Sequence, residues 1–270
     1  MLGKVIKNEF RATTRYFVPI YAFALLAAAF LKIMMTVTGT EDSTGGIVQM
    51  VMKVISGFSV FTFVIAIIAV VAGTAVVIAK RFYDHFLKDE GYLTFTLPVT
   101  TGQHMAGKVI TSYVWIIGGV IVILLSLGIL SIGNTGVYTA IKDSWLAIKE
   151  VIDTTGTWGY IIKMLLSIVI GIYTSIMMIY TCLSVGQLWN RHRVAGAVLI
   201  FFAIYTLEQI IGTVFAVILF HGVDTASEDL QTVHSILDSV GAYSIVLSIV
   251  EAVVFTLITR YMLKNKLNLE

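Results

Sequence analysis

The sequence predicts an all-α, polytopic membrane protein with six transmembrane helices, an amphipathic helix ahead of the first, and a charged loop between the second and third. Three observations predict it. Hydrophobic residues make up 58% of the 270 and charged residues only 13%, with a mean hydropathy of +0.93, all far outside the range of soluble globular chains. Six apolar runs reach the roughly 20 residues that a helix needs to cross a hydrocarbon core. Each is too long and too continuous for the alternating strands of about 10 residues that build a barrel, so its backbone must satisfy its hydrogen bonds as a helix. Proline agrees by its scarcity: Pro19 stands where the first span begins and Pro98 in the loop, positions where a missing N–H costs little.

The chain is read as one transmembrane domain over 1–270. Residues 1–17 form an interfacial helix: Leu2, Ile6, Phe10, Thr13 and Phe17 share one sector at helical spacing, and Lys4, Lys7, Arg11 and Arg15 occupy the opposite side. The pattern fits a simple anchor and an elbow that also touches a partner equally well. The basic start mimics a signal peptide, but the run that follows exceeds an h-region and no small-residue cleavage site comes after it, so it is expected to stay as the first span. The spans are expected at 18–37, 54–79, 109–132, 161–185, 194–220 and 242–262. Residues 80–108 form the loop between the second and third. On the opposite face, Thr139 to Ile152 can form a surface helix. Residues 221–241 hold another short helix, which Ser227 can cap and whose stripe is Leu230, Val233, Leu237 and Val240. Small residues recur four apart in Ala69–Gly73 and Ser167–Gly171–Ser175, spacing that permits close helix approach within the chain or between chains.

Orientation follows from the cations. With six spans both termini lie on one side, and that side holds Lys4, Lys7, Arg11, Arg15, Lys80, Arg81, Lys88, Lys108, Arg191, Arg193, Arg260, Lys264 and Lys266. The other holds only Lys32, Lys53, Lys142, Lys149 and Lys163. The positive-inside rule makes both termini and the 80–108 loop cytoplasmic. A basic inner face over anionic lipid explains the net charge of +2 without a polyanion, so lipids are expected partners and nucleic acid is not.

Little in the chain points to chemistry. Cys182 is the only cysteine and lies in the fourth span, so no intrachain disulfide or thiolate metal site can form. His85, His104, His192, His221 and His234 lack metal-ligand spacing, and no metal site is expected. Gly102 to Lys108 approaches a phosphate-binding loop, but Val109 stands where Ser or Thr must hold magnesium and no strand precedes it. The chain is therefore not expected to bind ATP or to be an enzyme. Glu208 and Glu251 sit near the middle of the fifth and sixth spans, where a charge costs about 2.5 to 3.5 kcal/mol on insertion scales. Each is either protonated or hydrogen-bonded to neighbours such as Tyr205, Thr206 and Gln209, or lines a polar pathway.

The 80–108 loop is the most distinctive stretch. Arg81 to Leu87 continues the second span as a helix, and Gly91 suits its end. Tyr92, Leu93, Phe95 and Leu97 then place apolar side chains in a charged setting, either as a protein contact or as packing on the span ends. The run RFYDHFLKDEGYLTFTLPVTTGQHMAGK, after the second of six spans and behind a basic amphipathic helix, resembles the permease subunits of bacterial ABC exporters of the type-2 superfamily, in which an EGYL-x-F-TLPV loop of this kind is familiar. The resemblance implies a six-helix half-transporter in the bacterial cytoplasmic membrane. It would pair with a second permease chain, the same or a homologue, and dock a separate ABC ATPase subunit that carries ATP and Mg2+. Asp84, Phe86, Lys88, Asp89, Glu90, Gly91, Tyr92, Phe95 and Leu97 would then form the coupling element that receives the ATPase stroke. Arg191, His192 and Arg193 would form a second inner contact. Two other readings stay open: a channel or gradient-driven transporter using Glu208 and Glu251, and an immunity or sensor subunit that binds a peptide without moving it.

Overall fold

A computed structural model describes residues 2–39, 46–87, 101–133, 135–155, 158–189, 192–220 and 230–265. Seven helices account for nearly all of them: α1 (Leu2–Gly39), α2 (Ile47–Leu87), α3 (Thr101–Ser131), α4 (Thr135–Thr155), α5 (Trp158–Gly186), α6 (Arg193–Phe220) and α7 (Leu230–Asn265). All but α4 contain a stretch long and apolar enough to cross a membrane, and no strand occurs among the described residues. The chain is an all-α, multi-pass membrane protein, as its composition requires.

Two boundaries differ from the sequence expectation. The interfacial helix over 1–17 and the first span over 18–37 are one helix, Leu2–Gly39, and Pro19 lies inside it rather than at its start. Proline there removes the N–H that would bond the Arg15 carbonyl. Packing on both sides of the defect keeps the helix continuous, with Phe17 buried two residues before it and Ala24 five residues after. Likewise the expected short helix within 221–241 is not separate from the last span: from Leu230 onward the two are one helix, α7. Ser227, its expected cap, lies outside the described residues.

The described residues pack as two compact units, Met1–Arg81 with Gln103–Gly156 and Phe82–Gly102 with Thr157–Glu270. In the first, Ala24 and Ala27 of α1 meet Ala66 and Val70 of α2 and Val122 of α3, with Ile20, Tyr21, Leu25, Phe63 and Ile123 packed around them. Without a hydrophobic force between helices in lipid, such contacts rest on close packing, and small side chains let backbones approach. Gly73 serves this end: a Cβ there would stand 3.2 Å from Ile20 Cδ1, so the Ala69–Gly73 face packs within the chain. Nothing lies within 4 Å of a Cβ built on Gly171, so that part of the second small-residue row leaves open space.

Polar side chains tie α5 to α7 in the second unit. The Thr181 hydroxyl lies 2.9 Å from the Thr259 hydroxyl and 3.1 Å from the Phe255 carbonyl oxygen, Thr174 donates to the Ser248 carbonyl, and the Tyr173 and Thr256 hydroxyls pair at 2.8 Å. In lipid each such bond contributes about 0.6 to 2 kcal/mol. The α5–α6 turn is tighter still. A Cβ on Gly186 would lie 2.6 Å from the Ala197 backbone nitrogen, and one on Gly196 would lie 2.6 Å from Trp189 Cε3.

Gly186→Ala should therefore destabilise the protein by about 1 to 3 kcal/mol, because a backbone atom has to move. Gly171→Ala should be neutral or slightly stabilising, since the space is open and alanine favours helix. Thermal aggregation midpoints of the two variants in detergent check this; equal midpoints would mean that the turn yields freely.

Candidate functional site

In the sequence the expected coupling segment runs from the end of α2 to the start of α3. Lys88, Asp89, Glu90, Gly91, Tyr92, Phe95 and Leu97 lie outside the described residues, as does Arg191. Asp84 and Phe86 are on α2, so the helical extension of the second span through Leu87 is real. Asp84 is half-buried. Phe86 is fully buried, its ring 5.2 Å from that of Phe82, and Phe82 in turn stacks on Tyr180 of α5 at 4.1 Å. Phe86 is thus packed in the interior of the second unit. His192 is exposed and Arg193 half-buried at the α5–α6 turn.

A cluster of charges joins the two helices that flank the segment to α1. Glu9 of α1 reaches Arg81 of α2 through Oε2 at 3.0 Å and Lys108 of α3 through Oε1 at 2.9 Å. The Lys108 ammonium also donates to the Arg81 carbonyl at 3.2 Å. The Glu9 and Lys108 side chains are only 6% and 4% exposed, and Arg81 19%. A carboxylate in this setting needs cations on both oxygens to offset its lost hydration, and it has them. Lys4, Lys7, Arg11 and Arg15, by contrast, are exposed on the other side of α1. Gly107 permits the close approach: a Cβ there would meet Val5 Cγ1 at 3.0 Å. His104, one turn before Lys108, is buried, and its Nε2 finds no hydrogen-bond partner among the described residues.

One turn deeper, an aromatic stack locks α1 to α3. Trp115 lies between Phe10 and Phe17, ring centroids 4.9 and 4.4 Å away. Its indole N–H donates to Thr13 Oγ1 at 2.8 Å, and Tyr21 donates to the Trp115 carbonyl. The apolar face of the N-terminal stretch, expected to lie in the membrane interface, is therefore packed against protein. The sequence reading passed over Glu9, although a signal was present. At helical spacing Glu9 falls about 20° from Leu2, inside the apolar sector of an otherwise basic helix, and an acid in that sector demands a partner.

The second unit holds the two intramembrane acids. Glu208 of α6 and Glu251 of α7 are both half-buried and lie within range for their charges to interact, with buried Cys182 of α5 also in range of Glu208. The expected hydrogen bonds to helix neighbours are not made. Thr206 donates to the Phe202 carbonyl at 2.7 Å and Tyr205 stacks on Phe201. The fold thus brings together two acids 43 positions apart in sequence. No group of three His, Cys, Asp or Glu side chains able to hold a metal ion occurs among the described residues.

In comparison with known proteins, no family model matches the chain, and neither a curated protein nor a solved structure matches it.

Glu9→Gln should cost about 3 kcal/mol or more, because it leaves two cations facing a neutral amide in a buried site. Glu9→Leu combined with Lys108→Met should recover much of that loss, since Arg81, the more exposed cation, can turn toward solvent. A double-mutant cycle on unfolding midpoints reads the difference; additive losses would show that the cluster is not a unit.

Proposed function

We propose that the chain is a membrane-spanning permease subunit of an ABC-type exporter, working as a dimer with a second permease chain and driven by separate ATPase subunits that dock on the 80–108 segment from the cytoplasm. The observation that carries this reading is the Glu9–Arg81–Lys108 cluster. It joins the helix that enters the segment, the helix that leaves it and the N-terminal helix at one end of the first unit. A push on residues 88–100 would meet α2 and α3 held together by buried ion pairs, so the load would pass into the spans as a body instead of fraying the helix ends. Alternating access by tilting of packed helices needs such a stiff input. The near-phosphate loop at Gly102 to Lys108 does not compete with this role. Lys108 is engaged with Glu9 and the Arg81 carbonyl, and Gly107 serves α1 packing.

A second reading, transport driven by an ion gradient, draws on the neighbouring half-buried carboxylates of Glu208 and Glu251. Two half-buried acids in the membrane whose charges lie within range of each other suit a proton or cation relay. Under the exporter reading the same pair would line the route of a polar or cationic cargo.

Affinity capture of the tagged chain from its native membranes, with mass spectrometry of what accompanies it, distinguishes the two. The wild type should recover an ABC ATPase, and a Glu90→Lys, Tyr92→Ala variant should lose it. A chain that emerges alone, under conditions that preserve other ABC complexes, would favour the gradient-driven reading. In reconstituted vesicles, Glu208→Gln and Glu251→Gln should each lower transport while leaving ATPase recovery unchanged; full transport by both variants would remove the pair from the pathway.

A further inference from the structure

Among the seven helices α4 stands apart, because it is the one without a membrane-crossing stretch yet is tied to a crossing helix at each end. Three residues separate it from α3 and two from α5. The first connection contains Gly133, whose left-handed φ of 70° ends the span and turns the chain. Connections this short reach less than about 15 Å even when extended, whereas the 21 residues of α4 span about 31 Å. A helix standing upright would carry one end farther from the membrane than its connection could follow. Both ends must stay near the surface, on the side opposite the N-terminus after three crossings, so α4 lies along that surface.

Its side chains suit the same place. Tyr138, Ile141 and Trp145, at i, i+3 and i+7, fall within an arc of about 60° and are 65%, 53% and 64% exposed. Asp143 lies about 160° from Trp145 on the far side. Lys142 and Lys149 lie on one edge of the stripe, two turns apart and so about 10 Å from each other along the axis, and both are exposed. Tyrosine and tryptophan favour the headgroup level, and lysines beside an apolar stripe extend their ammonium groups to the phosphates above it. Hydroxyls that would add polarity are turned inward: Thr139 donates to the Gly136 carbonyl and Ser144 to the Ala140 carbonyl.

We propose that α4 is a lipid-binding surface helix: its Tyr138–Ile141–Trp145 stripe seats in the headgroup layer of the leaflet remote from the N-terminus, and Lys142 and Lys149 hold anionic phospholipid headgroups along its edge. The charge pattern selects the occupant. Of the five charges on α4, Lys149 and Lys142 fall nearest Trp145, about 40° and 60° away, while Asp153, Glu150 and Asp143 fall about 80°, 140° and 160° away. The charges that border the stripe are thus the two cations, although the helix as a whole carries three acids.

The test uses the full chain with Cys182→Ser, spin-labelled at Ile141→Cys or Asp143→Cys and reconstituted in vesicles of phosphatidylcholine alone or with phosphatidylglycerol. The label at 141 should be severalfold more accessible to oxygen than to a water-soluble nickel chelate, and the label at 143 should show the reverse. Phosphatidylglycerol should draw the 141 label deeper, and Lys142→Glu with Lys149→Glu should abolish that lipid-dependent shift without changing the contrast between the two labels in phosphatidylcholine. Equal nickel access at both positions would overturn the surface helix. A 141 label shielded from both oxygen and nickel would overturn it in favour of a protein contact. A shift that survives reversal of both lysine charges would overturn the headgroup assignment.

Discussion

Hydrocarbon offers no hydrogen-bond partner, and most of this structure follows from how its polar groups cope with that. Many of the hydroxyls in the spans return to their own helix. Thr74, Thr111 and Ser126 each donate to the carbonyl four residues before, on Val70, Gly107 and Val122, so they can be buried at little cost. A smaller set reaches across, and those few bonds mark where helices are joined. Trp115 with Thr13 and Tyr21 joins α3 to α1, and Thr181, Thr174 and Tyr173 join α5 to α7. The two units thus use one device, with alanine and glycine making room and a few polar side chains fixing register.

The Glu9 cluster follows the same logic at higher stakes. One carboxylate is matched by two cations from two other helices, so its burial constrains three elements at once. Ion pairs of this kind contribute little net stability but penalise every arrangement in which a partner is displaced. They define the relative register of α1, α2 and α3 at the end where residues 88–100 leave, while the aromatic stack around Trp115 holds the layer beneath.

Much of the fold was legible because hydropathy is a one-dimensional signal. A run of about 20 apolar residues has one fate in a chain of this composition; five of the six expected spans lie within observed helices, and the third, 109–132, runs one residue past the end of its helix at Ser131. Continuity was harder to read. Pro19 suggested a break, and only the burial of Phe17 and Ala24 on either side explains why α1 passes through it. Neighbours were not legible at all: the spacing of Ala69 and Gly73 indicates a close approach but not that Ile20 fills it. The same limit separates Glu208 from Glu251, each visible as an intramembrane acid yet paired only by the fold. Glu9 was overlooked for another reason. Counting charges to orient the chain treats an acid among four cations as a small correction, whereas its angular position marks it as a buried hub.

That hub also sets an order of events during synthesis. Glu9 is made 99 residues before Lys108 and 72 before Arg81, which at about 5 to 20 residues per second is a wait of roughly 5 to 20 seconds. Throughout that interval α1 carries an acid on the face that will later be packed, and Trp115, which closes the layer beneath, emerges later still. The ion pairs at Glu9 cannot yet exist when the first helix is made. Its Glu9 end can close on both cations only once Arg81 and Lys108 have been made, so the cluster completes only when the third helix has begun to emerge.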